Sequence, residues 1–230
     1  MFYYDSSYFL FMIITFPITM YAHFKVRFIF NKYSKIKCDP RLNGAKSAGI
    51  VLYENSISDV EIVRIHGSFN DHFDPTKNKI SLSKSVYLEN SITAVGVAAH
   101  EAGHAAQYAS GYGFMKIRQR LVPITQICSG LSMPVLLIGL LLPLQYNFVV
   151  NLGIILFAVA VLFQFVTLPV EFDASRRAIS SLKNSNRISE KEIYGVRKVL
   201  NAAALTYVAS LFTSLIYFLR LILISSKRKD

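Results

Sequence analysis

Two long stretches without a charged side chain, residues 121–144 and 148–170, most constrain how this chain can fold. Each is long enough to cross the hydrocarbon core of a bilayer, which takes about 20 residues of helix. Inside that core the backbone must satisfy its own hydrogen bonds, so such stretches fold as helices. Residues 143–148 carry no charge and predict a tight turn. The sequence therefore predicts a membrane hairpin over residues 121–170.

Two further apolar runs lie near the ends of the chain. The first, Tyr8–Tyr21, has no Lys or Arg before it and several basic residues after it. That order predicts an uncleaved anchor over residues 1–24 with its N-terminus outside. The last run opens a C-terminal segment, residues 202–230, that ends in a basic tail. Because basic residues flank both ends of this run, charge does not orient it, and it either spans or lies against the other helices.

The net charge of +11 is distributed unevenly along the chain. Basic residues precede and follow the hairpin: Lys116, Arg118, Arg120, Arg176, Arg177 and Lys183. Positive charge marks the cytoplasmic side, so residues 25–120 and 171–201 are expected in the cytoplasm of a multi-pass protein of the cell membrane. The sequence contains no nucleic-acid-binding motif, and nucleic acid is not expected as a partner. Cys38 and Cys128 are interpreted as free thiols.

Residues 25–120 show the patterning of a small α+β unit. The expected elements are a helix over 42–53, strands over 61–65 and 79–83, a turn over 74–78 that closes a hairpin, and a helix from about Asn90 or Ser91 to Gly111. In the second cytoplasmic segment, residues 184–188 predict a break. Ser189 with Glu192 predicts a capping box for the helix that follows.

The helix expected to end near Gly111 contains the sequence His100-Glu101-Ala102-Gly103-His104. Two histidines four positions apart lie on one face of a helix and can hold one zinc ion. The glutamate between them is placed to act as general base on a zinc-bound water. The alternative is a pair of helix histidines that bind no metal.

A catalytic zinc needs three protein ligands, and the third must lie on the same side of the membrane as the histidines. Glu171 is the first acidic residue after the hairpin returns, and an acid at the mouth of an apolar run is costly unless it is paired or binds a metal. Pro169 predicts a helix start, so Glu171 could instead be an acid favoured by the helix dipole. Spacing alone does not decide between these two roles of Glu171. Asp173 points about 200° away from Glu171 and could orient a ligand histidine.

Four segments carry a resemblance to a known family: residues 71–75, 97–105, 168–175 and 200–208. They resemble the YugP-like neutral zinc metallopeptidases of bacterial membranes, over nearly the whole chain. More distantly, the chain is similar to the HtpX-type integral-membrane peptidases, which pair a His-Glu-x-x-His helix with a downstream Glu-Phe-x-Ala-Asp segment. That match implies His100, His104 and Glu171 as zinc ligands and Glu101 as the base. Ser175 stands where those relatives have Asp.

The resemblance also implies where a substrate would bind. In zincins the substrate adds as a strand to a sheet edge beside the motif helix. By analogy residues 67–73 would form that edge, which adds Asn70 and His72 to the expected cleft. From the residues alone, His72 either binds a developing oxyanion or is a solvated loop histidine.

The expected fold is an α-helical integral membrane protein with a small α+β zincin-type metallopeptidase domain and three or four transmembrane helices. The expected function is hydrolysis of peptide bonds in membrane or membrane-proximal proteins by zinc-activated water, with one Zn²⁺ per chain and Glu101 as general base. The expected partners are a polypeptide substrate and the lipid bilayer, and the oligomeric state stays open. The alternative is a zinc-stabilised membrane scaffold or adaptor without turnover. A transporter or channel is disfavoured because residues 121–144 and 148–170 contain no acidic, basic or histidine side chain.

Overall fold

The computed structural model describes residues 6–67 and 70–228, and side chains from Phe9 onward. Helices and strands follow one another along these residues: α1 (Ser6–Ser34), α2 (Gly44–Glu54), β1 (Glu61–Ile65), β2 (His72–Asp74), β3 (Lys79–Ser83), α3 (Lys84–Tyr87), α4 (Ile92–Ala109), α5 (Gly113–Leu141), a 3-10 turn (Leu144–Tyr146), α6 (Asn147–Asn184) and α7 (Glu190–Lys227).

Four of these helices, α1, α5, α6 and α7, are long and apolar enough to cross a membrane. Together with the small sheet they confirm the predicted fold class. Helices α6 and α7 have 38 residues each. At 1.5 Å per residue each is about 57 Å long, whereas the hydrocarbon core is about 30 Å thick. Each of these two helices therefore contains far more turns than a membrane crossing requires.

Helix α6 corrects one expectation from the sequence. It continues through Pro169 without a break, so the predicted helix start at that residue is wrong. A proline removes one backbone N–H, and neighbouring groups in a packed or membrane-spanning helix can satisfy the carbonyl that is released. Glu171 consequently lies in the interior of α6, where the dipole of a helix N-terminus does not act. The predicted boundaries after residues 24, 120, 170 and 201 likewise fall inside continuous helices.

The chain divides into two compact units, and their limits lie close to the expected boundaries. The spanning unit comprises Met1–Ala22, Ile117–Leu168 and Thr206–Asp230. The site unit comprises His23–Lys116 and Pro169–Leu205. Each of the four long helices contributes to both units.

The spanning unit shows how α7 is oriented, which charge did not decide. The Arg228 guanidinium donates to the carbonyl oxygens of Gly139 and Leu142 at 2.9 and 2.8 Å, in the last turn of α5 and just beyond it. At the same end, Ser225 Oγ donates to Asn151 Oδ1 at 2.5 Å, near the start of α6. The C-terminal ends of α5 and α7 are therefore neighbours, and α7 ends beside the turn of the hairpin.

The site unit contains a three-stranded sheet of order β1-β3-β2. β2 and β3 pair antiparallel across the predicted turn and form a hairpin there, whereas β1, the other predicted strand, pairs parallel with β3 and is not an arm of that hairpin. β2 is an edge strand. It includes only the last two residues of the expected edge, residues 67–73, and Ser68 and Phe69 of that range lie outside the described residues.

Helix α4 packs against α2 and the hairpin strands and is nearly enclosed by them and by α6 and α7. It begins at the predicted cap, where Ser91 Oγ accepts a hydrogen bond from the backbone N–H of Ala94. A Cβ at Gly103 would collide with the backbone carbonyl of Ala174 on α6. The small side chains of α4 thus let its backbone touch α6 directly, which brings its histidines within reach of α6 side chains.

Candidate metal centre

His100, His104 and Glu171 converge at the contact between α4 and α6. One helical turn separates the two histidines, so both rings project from the same face of α4. His100 Nε2 lies 3.2 Å from Glu171 Oε2, and His104 Nε2 lies 3.7 Å from Glu171 Oε1. One nitrogen or oxygen atom from each side chain lies within 4.8 Å of the other two. Among the described residues, this is the group of three such side chains that could hold a metal ion.

The chemistry of the three side chains fits zinc. Two imidazole nitrogens and one carboxylate oxygen form a donor set that catalytic zinc sites use. Glu171 is 2% exposed and His104 is 6% exposed. A carboxylate buried that deeply needs positive charge nearby, and a divalent cation bound between the three side chains would supply it. The role of these residues as ligands stays a prediction.

Each histidine ring turns its other nitrogen toward an oxygen atom. His100 Nδ1 lies 3.1 Å from Ser175 Oγ, one turn after Glu171 on α6. His104 Nδ1 lies 3.0 Å from Gln107 Oε1, one turn further along α4. Metal-binding histidines are usually held in this way, with the ring nitrogen that does not bind the metal hydrogen-bonded to protein. A serine thus contacts His100 at the position where the more distant relatives have Asp.

Sequence reasoning missed Gln107, although the sequence contained a signal for it. Gln107 is a long polar side chain three residues after His104, among alanines on a helix whose faces are mostly apolar. Asp173, expected to orient a ligand histidine, reaches His104 through this residue, since Gln107 Nε2 donates to Asp173 Oδ2 at 3.0 Å. Asp173 also accepts hydrogen bonds from Arg176 and Arg177.

Glu101 lies beside the three converging side chains and contacts the edge strand. Its Oε2 atom accepts a hydrogen bond of 3.1 Å from the backbone N–H of Phe73 in β2. Burial raises the pKa of Glu101 to about 7, opposed by the nearby His100 and reinforced by the negative charges of Glu171 and Asp71. A carboxylate with a pKa near neutrality is suited to take up and release a proton at physiological pH.

The other two residues expected in the cleft, Asn70 and His72, are both exposed. The Nδ1 atom of His72 lies 2.7 Å from the backbone carbonyl oxygen of Asn70. The structure thus brings these two residues together at the start of β2, and their role in substrate binding stays a prediction.

Comparison with known proteins agrees with this geometry. A family model described as "Putative neutral zinc metallopeptidase" matches residues 8–226. The chain belongs to that family. It is also 42% identical over 213 residues, 93% of its own length and 94% of the relative's, to "Putative membrane protease YugP" of Bacillus subtilis (strain 168). No solved structure matches the chain.

Membership of the zinc metallopeptidase family confirms the resemblance seen in the sequence. It supports a protease role and a polypeptide substrate. The membrane-protease relative and the four long apolar helices indicate a multi-pass membrane protein.

Proposed function

We propose that this chain is a zinc metalloendopeptidase that hydrolyses peptide bonds of membrane or membrane-proximal polypeptides. The observation that carries the proposal is the convergence of His100, His104 and Glu171, with the Glu101 carboxylate beside them. A site that only stabilised the fold would have no use for a half-buried carboxylate next to the ligands.

Each side chain has a distinct part in the proposed reaction. His100 and His104 through Nε2, and Glu171 through its carboxylate, would hold one zinc ion. A bound zinc ion lowers the pKa of a water molecule and polarises the carbonyl of the scissile bond. Glu101 accepts the proton of the attacking water and delivers it to the departing amine. The Phe73 N–H fixes one oxygen of Glu101 in place for this transfer.

The edge strand β2 offers a way to align a substrate. Because β3 pairs with only one side of β2, the other side can receive an extended polypeptide. Phe73 points its backbone N–H away from β3, toward Glu101. A substrate strand added along β2 would therefore run past the proposed base.

The proposed cleavage takes place near the cytoplasmic surface of the membrane. Glu171 directly follows Val170, the last residue of an apolar run, in the continuous helix α6. Five and six residues later the same helix presents Arg176 and Arg177, and the first residues of α5 include Lys116 and Arg118. Such clusters of positive charge are retained on the cytoplasmic side.

The experiment that tests the proposal replaces the base and leaves the ligands unchanged. In Glu101→Gln, cleavage of a membrane-protein substrate by the purified full-length chain in detergent should fall by at least about 1,000-fold, while the zinc content stays at the native level. Glu54→Gln, an exposed glutamate of the same unit, is the matched control and should cleave normally. Full activity of Glu101→Gln contradicts the proposed mechanism.

A second arm of the same experiment tests the ligands. Glu171→Ala should lower the zinc content measured by elemental analysis, because one of three donors is removed. Glu190→Ala, an exposed acid at the start of α7, should leave it unchanged. A native zinc content in Glu171→Ala would reject this ligand set and direct attention to Asp173 or His72.

A further inference from the structure

Gln107 is a completely buried side chain with three hydrogen-bond partners. Its relative exposure is 0%. The Oε1 atom lies 3.0 Å from His104 Nδ1. The Nε2 atom donates to the backbone carbonyl oxygen of Val170 at 2.7 Å and to Asp173 Oδ2 at 3.0 Å. An amide has two N–H donors, and both are used here.

These partners permit only one orientation of the amide. The carbonyl of Val170 and the carboxylate of Asp173 can only accept hydrogen bonds, so the NH₂ group must face them. The amide oxygen then faces His104, and because that oxygen can only accept, the proton of a neutral ring must sit on Nδ1. The lone pair is thereby placed on Nε2, the nitrogen that faces Glu171.

The contact between His100 and Ser175 does not determine which ring nitrogen of His100 carries the proton. Its Nδ1 lies 3.1 Å from Ser175 Oγ, and a hydroxyl group can rotate to donate or to accept. Either tautomer of His100 is therefore compatible with Ser175. The two histidines of the motif differ in how firmly the protein fixes their proton.

Two arginine side chains of α6 hold the Asp173 carboxylate in place. It accepts hydrogen bonds from Arg176 and Arg177, three and four residues later on α6. The guanidinium of Arg177 also lies over the ring of Tyr112, 5.8 Å from its centroid. A chain of contacts thus runs from Arg177 through Asp173 and Gln107 to His104, and it joins α6 to α4.

We propose that Gln107 is a positioning residue for the metal site: the Gln107 side chain holds His104 in the tautomer with its proton on Nδ1. In this arrangement Asp173 and the Val170 carbonyl fix the orientation of the Gln107 amide, and the amide oxygen fixes the tautomer of the His104 ring. The consequence for metal binding rests on the proposed function, whereas the tautomer itself does not require a metal.

The first test uses the native, metal-free, full-length protein. The chain has 5 histidines, and ¹⁵N labelling of histidine with long-range ¹H–¹⁵N correlation separates the two ring nitrogens of each. The His104 signals are assigned by their loss in His104→Gln. We expect His104 to show a protonated Nδ1 and an unprotonated Nε2 at pH 8. A proton on Nε2 of His104 in the native chain would overturn the proposal without any variant of Gln107.

The second test compares two substitutions of Gln107. Gln107→Met has similar length but only a weak sulfur acceptor, so His104 should lose its single tautomer and show exchange between the two. Gln107→Glu has a carboxyl group that, protonated on the side of Asp173, still donates there and keeps an acceptor facing Nδ1, so it should preserve the native tautomer. A merely structural role for this side chain predicts no such difference between the two variants, and an unchanged His104 tautomer in Gln107→Met contradicts the proposal.

The third test measures zinc affinity by competition with a chelator. Loss of a group that orients a ligand typically weakens metal binding about 10- to 100-fold, and we expect that range for Gln107→Met. Asn55→Ala is the matched control, since Asn55 also donates from a side-chain amide, to Val51 O and Ser181 Oγ, away from the site. An affinity of Gln107→Met within about twofold of native contradicts the positioning role. If the native chain binds no zinc, the proposed function fails, and the tautomer measurement still decides the role of Gln107.

Discussion

The spanning unit and the site unit hold their helices together by different means. In the site unit a large apolar core surrounds α4, with Val95, Leu82 and Leu182 fully buried. In the spanning unit the buried apolar cluster is small, made of Leu136, Val150 and Ile154. Large apolar side chains of the spanning helices are exposed instead, as expected for surfaces that face lipid.

This difference shows which interactions can stabilise each unit. Lipid tails are as apolar as a leucine side chain, so burial of apolar surface does not drive helices together inside a membrane. Close backbone approach at glycines and hydrogen bonds between helices must do so. In the site unit, burial of apolar surface away from water contributes about 25 cal/mol per Å². Both units nevertheless use glycine for close contact, so substitutions at glycine can compare them directly.

The largest loss of stability is expected from a substitution at Gly103, in the site unit. A side chain there meets the backbone carbonyl of Ala174, which cannot move without displacing α6. Gly103→Val should therefore lower the free energy of unfolding by about 3 kcal/mol or more and abolish zinc binding, because α4 and α6 separate. Thermal unfolding and zinc content of the detergent-solubilised protein measure both effects. Gly113→Val is the control, since no described atom lies within 4 Å of its Cβ position.

A smaller effect is expected at Gly153, in the spanning unit. A Cβ at this position would lie 2.6 Å from Leu136 Cγ and 2.9 Å from the Leu136 backbone nitrogen, so the approach of backbone is less close than that of the Ala174 carbonyl oxygen at Gly103. Gly153→Val should reduce the free energy of unfolding by about 1–3 kcal/mol while the affinity for zinc stays near native. Gly130→Val serves as the control in α5, with open space around its Cβ among the described atoms. Loss of zinc binding in Gly153→Val would show that the two units do not respond independently.

The smallest effect is expected at Arg228, which caps the end of α5. Arg228→Ala removes two hydrogen bonds to backbone carbonyls, at 2.9 and 2.8 Å, and should cost about 1 kcal/mol. Lys191→Ala, which removes a charge of the same sign from an exposed position in the first turn of α7, should cost less. Equal stability of the two variants would contradict the packing of the α7 end against α5.

The sequence predicted much of the fold because its strongest signals are local. The strands at residues 61–65 and 79–83, the Ser91 cap and the break before Ser189 all appear in the structure. In the break, Ser189 and Glu192 form the predicted reciprocal hydrogen bonds. The prediction failed at Pro169, because a helix that is supported by its neighbours can tolerate a proline that would end an isolated helix.

The candidate site was only partly predictable, because some of its residues lie close together in the sequence and others lie far apart. His100, Glu101 and His104 follow from helical spacing within one segment, so sequence alone places them on neighbouring turns of one helix. Gln107 was missed because its one local signal, a polar residue among alanines, does not show which groups the side chain contacts. Its importance depends on Val170 and Asp173, more than 60 residues away, which supply its partners.

The sequence by itself determined that the chain has long apolar helices and a His-Glu-x-x-His helix, because both are periodic patterns within a short segment. It also suggested Glu171 as a partner of the histidines, but left open the alternative that Glu171 is only an acid favoured by a helix dipole. The tertiary structure brought the Glu171 carboxylate to the two Nε2 atoms, set Ser175 and Gln107 behind the rings, and placed the end of α7 beside the end of α5. These relations depend on which helix faces meet, and the close contact that Gly103 allows between α4 and α6 is the physical reason the site can assemble.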